Sequence, residues 1–378
     1  MSGAPRDPFL EAQHVELAER LRAFGEKRLR GTASDESDPG GQTRRLVGAL
    51  GEAGFLKHVI PEPYGCMDLR SLVVAREALA YYSSLADTAF VMQGLGSFPI
   101  SHVGTDVQKQ TWLPPVVRGE MLAAFAVTEP EAGSDLGGVR TEAARDGALW
   151  RLSGIKTFIS NAGLAGVYTI LARTGGSPGR DALSMFLVDG EAPGISVRAL
   201  EVIAPHPIGE VQLQDTPGLL LGAEGDGFKI AVATLEHFRP SVGAAACGLA
   251  GRALFESLRR AQTRRQFGQA LADFQSVKMT LADMHVELEA ARLLVRRAAW
   301  LKDQGASISR EGAAAKLAAT EMAQRVVDRA VQIHGGQGVL KGSTVERLYR
   351  EVRALRIYEG TSEIQKLVIA RSLLKESR

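Results

Sequence analysis

The chain has 378 residues, with 45 Lys and Arg against 43 Asp and Glu, and a formal net charge of +2. That near-balance removes the long-range field that would gather nucleic acid or an anionic membrane, and a content of 45% hydrophobic and 23% charged residues excludes wholesale disorder. Cys66 and Cys247 are the only cysteines, which excludes a disulfide scaffold and a thiolate metal cluster and points to a reducing compartment.

Met1-Ser-Gly-Ala-Pro-Arg-Asp lacks the apolar core of a secretory signal. No apolar run reaches the about 18 residues that cross a bilayer, so the expected location is the cytoplasm, with no membrane partner. Between roughly residues 8 and 122 the apolar spacing is helical: Val15, Leu17, Leu21 and Phe24, then Leu46, Leu50 and Phe55, then Leu72 through Tyr82. Thr32 to Gln42 is polar with paired glycines and reads as a connection. Asp106 to Leu113 reads as a short helix ended by Pro114-Pro115.

From Ala123 to Gly222 the period changes to short apolar runs punctuated by Gly, Pro, Asn and Asp. The runs starting at Ala123, Trp150, Val167 and Leu183 predict strands of a barrel or sandwich, because the helices needed for α/β crossovers are missing. Helical periodicity then returns over 227–262, 273–304, 310–334 and 361–375, with small residues such as Gly243 and Ala244 suited to close helix packing. The expected architecture is α+β and multidomain: an N-terminal helical domain over 1–122, a middle β-barrel or sandwich domain over 123–222, and a C-terminal four-helix bundle over 223–378.

Glu359 stands in Ile357-Tyr-Glu-Gly-Thr, behind apolar and aromatic residues and before a glycine that permits a tight turn or close approach of a ligand. Thr361 and Ser362 are suited to cap a helix starting near Glu363. Gly335-Gly-Gln-Gly follows a helical segment rather than a strand, so it is not a Rossmann fingerprint. The seven histidines show no pairing with carboxylates that implies a metal, and His334 reads as a packing or helix-end residue.

Three separated segments, Phe125-Ala-Val-Thr-Glu-Pro-Glu-Ala-Gly-Ser-Asp, Arg264-Arg-Gln-Phe-Gly, and Gln332-Ile-His-Gly-Gly-Gln-Gly through Ile357-Tyr-Glu-Gly-Thr-Ser-Glu-Ile-Gln, make the sequence resemble the acyl-CoA dehydrogenase family over nearly the whole chain. Lys156-Thr-Phe-Ile-Ser-Asn lies between the first two in the expected order. The resemblance implies FAD as a noncovalent cofactor and conversion of a saturated acyl-CoA to its trans-2-enoyl-CoA. It also implies electron-transferring flavoprotein as partner, and assembly as a homodimer or homotetramer.

Within that resemblance Glu359 is the base that takes the proton beside the thioester carbonyl, and its backbone N–H helps bind the thioester oxygen. Arg239 matches an arginine that orients the catalytic loop. Some relatives carry their base just before that arginine, but Phe238 occupies the position here. Val127 and Thr128 match positions at the flavin ring, Ser134 one near the pyrophosphate and the CoA passage, and Ser160 a hydroxyl near flavin N5. Phe158 replaces the commoner tryptophan beside the ring. Arg264 and Phe267, with Gln332, Gly335 and Gly336, match cofactor contacts across a subunit boundary, and Thr361 and Glu363 join the cofactor positions. Val91, Gln93, Leu95 and Phe98, with Ser134, Tyr358 and Gly360, are the substrate-pocket candidates.

Two departures stand out: the segment around 203–217, which runs from Ile203-Ala-Pro-His-Pro-Ile-Gly-Glu-Val into the shortened Gln214-Asp-Thr-Pro-Gly and is expected to be a loop, and Cys66 where glycine is usual. No arginine next to Val91 announces a dicarboxylic acyl terminus, and a short- or medium-chain acyl group is expected. Competing readings are an oxygen-using acyl-CoA oxidase, marked by rapid oxygen consumption, and a non-catalytic acyl-CoA-binding assembly protein, marked by thioester binding without flavin bleaching.

Overall fold

The computed structural model describes residues 7–30, 36–175 and 179–376. The start of the chain and residues 32–35 of the expected connection lie outside those residues. The chain divides into two compact units, one of Met1–Thr32, Leu69–Asp87 and Phe238–Arg378, the other of Ala33–Asp68 and Thr88–His237.

The first unit is helical. Helix α1 (Ala12–Arg28) belongs to it, and α2 (Pro39–Glu52) to the second unit. Helix α2 begins inside the stretch expected to be a connection, because the Asp38 carboxylate accepts from the Gly41 N–H at 2.7 Å and Pro39 occupies the first helical position, where no N–H is needed. Helix α3 (Leu69–Tyr82) is buried almost all round, and α4 (Ser84–Val103) runs through Pro99. Helix α5 (Asp106–Val117) also departs from expectation by continuing through Pro114 and Pro115. Both prolines lie in its last turn, where their carbonyls still accept, from Arg118 N–H at 3.1 Å and Glu120 N–H at 2.9 Å.

Seven strands follow: β1 (Ala123–Ala126), β2 (Glu142–Asp146), β3 (Leu149–Ser160), β4 (Val167–Arg173), β5 (Leu183–Asp189), β6 (Ile195–Ala199) and β7 (Ile208–Leu221). The pairings β4–β5, β5–β7, β7–β3, β3–β2 and β2–β4 return to their starting strand, so the sheet closes into a barrel, with β1 added along β4 and β6 along β7. Alternate residues fill its interior: Trp150 and Leu152, Tyr168 and Ile170, Phe186 and Val188, Val211 and Leu213. Gln214-Asp-Thr-Pro-Gly, expected to be a loop, lies within β7, with Asp215 taking up the irregularity at φ +53°.

The C-terminal helices are α6 (Gly227–Thr263), α7 (Gln275–Asp303), α8 (Ser309–His334), α9 (Thr344–Ala354) and α10 (Ser362–Glu376). Helix α9 was not anticipated from periodicity; Ser343 caps it by accepting from Glu346 N–H at 3.3 Å. Between α6 and α7 a small hairpin pairs β8 (Arg265–Gln266) with β9 (Gln269–Ala270). Within the first unit α1 packs on α3, α3 on α7, and α8 on α7, α9 and α10. Among the described residues no helix is long and apolar enough to cross a membrane.

Candidate active site

The segment between α9 and α10 is built to hold a carboxylate in a turn. Ile357 and Tyr358 donate their N–H groups to the Ala354 carbonyl at 2.9 and 3.1 Å, closing the last turn of α9. Glu359 and Gly360 then both enter the left-handed region, at φ +52° and +91°. For glutamate that conformation costs on the order of 1–2 kcal/mol, so surrounding groups must fix it. Gln365 Nε2 donates to the Glu359 and Gly360 carbonyls at 3.2 and 2.8 Å, and Lys316 Nζ donates to the Gly360 carbonyl at 2.8 Å. A Cβ on Gly360 would lie 2.6 Å from Gln365 Nε2, which reserves the position for glycine. Thr361 Oγ1 accepts from Ile364 N–H at 3.3 Å, the expected cap, and α10 starts at Ser362, one residue before Glu363.

Glu359 Oε2 is buried and makes no hydrogen bond. Burial raises the Glu359 pKa above its ordinary value of 4.5, and Arg76, Lys316 and Arg239 pull it down without restoring that value. A general base acts only when unprotonated. With Glu359 in the role of base that the resemblance implies, the rate should climb with pH through a limb lying above the ordinary carboxylate range, read from the initial rate of anaerobic flavin reduction across pH; a limb at or below pH 4.5 would contradict this environment.

Of the charges around this loop, Arg239 was expected from the sequence, whereas Arg76, Asp87 and Lys316 were not. Arg76 of α3 is buried, with Nε and Nη2 each 2.8 Å from an Asp87 oxygen and Nη1 2.9 Å from Ser241 Oγ. Burial opposes its charge, but Asp87 more than compensates and its pKa stays above the usual arginine value. Lys316 of α8 is 0% exposed, and burial pulls its pKa down to about 8. Arg239 of α6 is buried and close enough to affect both Glu359 and Lys316. The available signal was a charge inside an apolar helical run: Arg76 after Leu72-Val-Val-Ala, Lys316 after Ala313-Ala-Ala.

The barrel carries the residues assigned to the flavin. Phe158 leaves β3 at an irregularity between Lys156 and Ile159, adopts φ +55°, and is 62% exposed. Such strain and exposure in an aromatic are unusual for a core residue. The bulge is fixed beneath: Thr157 N–H donates to the Thr128 carbonyl at 2.9 Å, and buried Lys156 Nζ donates to Glu129 Oε1 at 2.7 Å. Glu129 also accepts from Arg140 N–H at 2.7 Å, Thr141 N–H at 2.9 Å and Thr141 Oγ1 at 2.5 Å. Burial works to raise its pKa, yet Lys156 and these donors hold it below the ordinary value; burial pulls Lys156 down to about 8. Val127 is buried at the end of β1, Thr128 is half-buried, and Ser160 Oγ lies 3.4 Å from His206 Nε2. Ser134 is exposed. A braced, outward-facing aromatic beside a valine and two hydroxyls fits one face of a flavin ring.

Phe267 and Gly268 form the tip of the β8–β9 hairpin, both with positive φ, and Phe267 is 93% exposed. Arg264, Gln332, Gly335 and Gly336 are exposed as well. His334 ends α8, with Nδ1 2.8 Å from the Ala330 carbonyl. Val91, Leu95 and Phe98 share one face of α4, and Phe98 stacks on His237 with ring centroids 4.8 Å apart. Gln93 corrects the expectation. It is 0% exposed, Nε2 donates to the Met121 carbonyl at 2.7 Å and Oε1 accepts from Ala123 N–H at 3.1 Å, so its amide braces the entry to β1 instead of lining a pocket. Among the described residues no group of three or more His, Cys, Asp or Glu could hold a metal.

Family models match in chain order: acyl-CoA dehydrogenase N-terminal domain over residues 11–120, middle domain over 124–216 and C-terminal domain over 225–374. The chain belongs to the acyl-CoA dehydrogenase family. Its dehydrogenase fold has an N-terminal helical, a middle β and a C-terminal helical domain, and FAD is the family's cofactor. The cyclohexane-1-carbonyl-CoA dehydrogenase of Geobacter metallireducens is 36% identical over 96% of this chain and 97% of its own length. The subunit CarC of the caffeyl-CoA reductase-Etf complex from Acetobacterium woodii is 35% identical over 97% of this chain and 100% of its own. The butyryl-CoA dehydrogenase structure from Megasphaera elsdenii superposes with a TM-score of 0.92 at 34% identity, covering 98% of this chain and 100% of that one.

Proposed function

We propose that this acyl-CoA dehydrogenase binds FAD and oxidises a short- or medium-chain acyl-CoA to the trans-2-enoyl-CoA, with Glu359 as base and electron-transferring flavoprotein as acceptor. The observation that carries it is a buried glutamate oxygen with no hydrogen-bond partner, in a strained turn whose backbone is held independently of its side chain.

Glu359 takes the proton from the carbon next to the thioester carbonyl, and its backbone N–H donates to the thioester oxygen, where negative charge develops. The raised pKa brings the base nearer to the weak acid that it deprotonates. Arg239 and Gln365 keep the loop in place. Val127, Thr128, Phe158 and Ser160 hold the ring of FAD, Ser134, Thr361 and Glu363 contact other parts of the cofactor, and Arg264, Phe267, Gln332, Gly335 and Gly336 serve a second subunit's cofactor. When bound, the flavin supplies a two-electron acceptor for the hydride that leaves the neighbouring carbon.

Assembly as a homodimer or homotetramer is supported by exposed Met279, Val286 and Leu293, seven residues apart on one face of α7, and by Phe267. The relatives support acyl-CoA chemistry with butyryl and cyclic acyl groups and an Etf partner, each for the protein named. Val91, Leu95 and Phe98 line the acyl chain, with Tyr358 and Gly360 at the reacting end. An anaerobic acyl-CoA series, followed by loss of oxidised-flavin absorbance and identification of the enoyl product, tests the reading. Bleaching is expected with butyryl- to octanoyl-CoA, and reoxidation is expected to be fast with electron-transferring flavoprotein and slow with oxygen. Tight thioester binding without bleaching would support a non-catalytic role, and rapid reoxidation by oxygen would make the protein an oxidase.

A further inference from the structure

A lysine with no exposed surface is costly, and burial, the largest influence on it, pulls its pKa down to about 8. Alanines precede and follow Lys316 along α8, and an apolar side chain at this position would avoid the penalty. Nor is the ammonium needed merely to satisfy the Gly360 carbonyl, since Gln365 Nε2 already donates to it at the same 2.8 Å. What Lys316 adds, and Gln365 cannot, is charge.

The charge sits among groups from every element packed on the loop. Glu359 itself, Arg239 of α6, Glu321 of α8 and Glu363 of α10 act on Lys316, while Arg76 of α3 and Asp87 of α4 act with Lys316 and Arg239 on Glu359. Asp87 is committed to Arg76 by two hydrogen bonds. Glu321 Oε1 accepts from Arg356 Nε at 2.9 Å and from Ser362 Oγ at 2.6 Å. Lys316 is thus a cation anchored on the residue after the base and not matched by a carboxylate of its own.

Resting on the reading of Glu359 as base, we propose that Lys316 is a positioning residue for proton abstraction: its ammonium, fixed on the Gly360 carbonyl, supplies the field in which the Glu359 carboxylate stays charged before substrate oxidation. Lys316→Gln keeps a donor at the loop and removes the charge, whereas Lys316→Met removes both.

The holoenzyme and both variants are compared by flavin spectrum, melting temperature and the pH profile of anaerobic bleaching by butyryl-CoA. Lys316→Gln is expected to retain flavin and to move the acid limb upward by about one pH unit or more, lowering the rate on that limb about tenfold. Lys316→Met should show the same displacement and a lower melting temperature. A Lys316→Gln limb coincident with wild type overturns the proposal. Wild-type holoenzyme carrying 13C-labelled glutamate gives a test that needs neither a stable variant nor turnover. The Glu359 signal, assigned by its loss in Glu359→Gln, should show a second inflection near pH 8 as Lys316 deprotonates, and a single inflection overturns the proposal. If no acyl-CoA bleaches the wild-type flavin, the dehydrogenase reading fails, while the NMR result still decides whether the two groups are coupled.

Discussion

Glu359→Gln is expected to lower the rate of flavin reduction by acyl-CoA by about 10²–10⁴-fold, the usual contribution of a positioned general base, while leaving flavin and thioester binding in place. The turn does not depend on the glutamate side chain. Its backbone is held by Gln365 and Lys316 through the Glu359 and Gly360 carbonyls, and Thr361 caps α10 from the far side. Oε2 makes no hydrogen bond, so glutamine disrupts no contact made by that oxygen; it removes the proton acceptor together with the negative charge on which Arg76, Lys316 and Arg239 act. Stopped-flow bleaching under anaerobic conditions gives the rate, and equilibrium titration with a non-reducible thioester gives the affinity. Reduction within a few-fold of wild type would remove Glu359 from the mechanism, and joint loss of flavin and rate would make it a structural residue.

Lys156→Met is expected to destabilise the barrel unit by about 3–5 kcal/mol, because it leaves the buried Glu129 carboxylate without its counter-charge. Lys156 is fully buried and Glu129 nearly so. The carboxylate joins the start of the Thr128 segment to Arg140, Thr141 and β3. Flavin content should fall with stability, since Thr128 and the strained Phe158 flank this pair. The paired change Glu129→Gln with Lys156→Met should recover part of the loss, because no buried charge is then left alone. Thermal unfolding monitored by flavin fluorescence and by circular dichroism compares the single and double variants. A single variant as stable as wild type, or a double variant worse than the single, would show that the pair is not the brace.

Much of the architecture was legible because it rests on local periodicity. The short apolar runs starting at Trp150, Val167 and Leu183 specified strands, and alternate residues of each became the barrel core. The long helices after Gly227 followed from their apolar spacing and small residues. Local reading failed where a cap or a place near a helix end decided the outcome: Asp38 started α2 early, and α5 kept Pro114 and Pro115 within its last turn. Gln93 was misjudged because burial of its amide against Met121 and Ala123 joins residues about 30 apart.

For the site, the sequence by itself offered a candidate base and its surroundings, a glutamate before a glycine with a capped helix start after it, while the aromatic and hydroxyls expected at the cofactor came from the family resemblance. The tertiary structure decided the state of that base. Arg76, Asp87, Arg239 and Lys316 come from four helices, of which only α3 and α4 are neighbours in the chain, and their combined effect on Glu359 depends on burial and separation, which composition and spacing do not encode. A carboxylate's identity is a local property of the chain, whereas its proton affinity is set by every charge and every water that folding brings near it or removes.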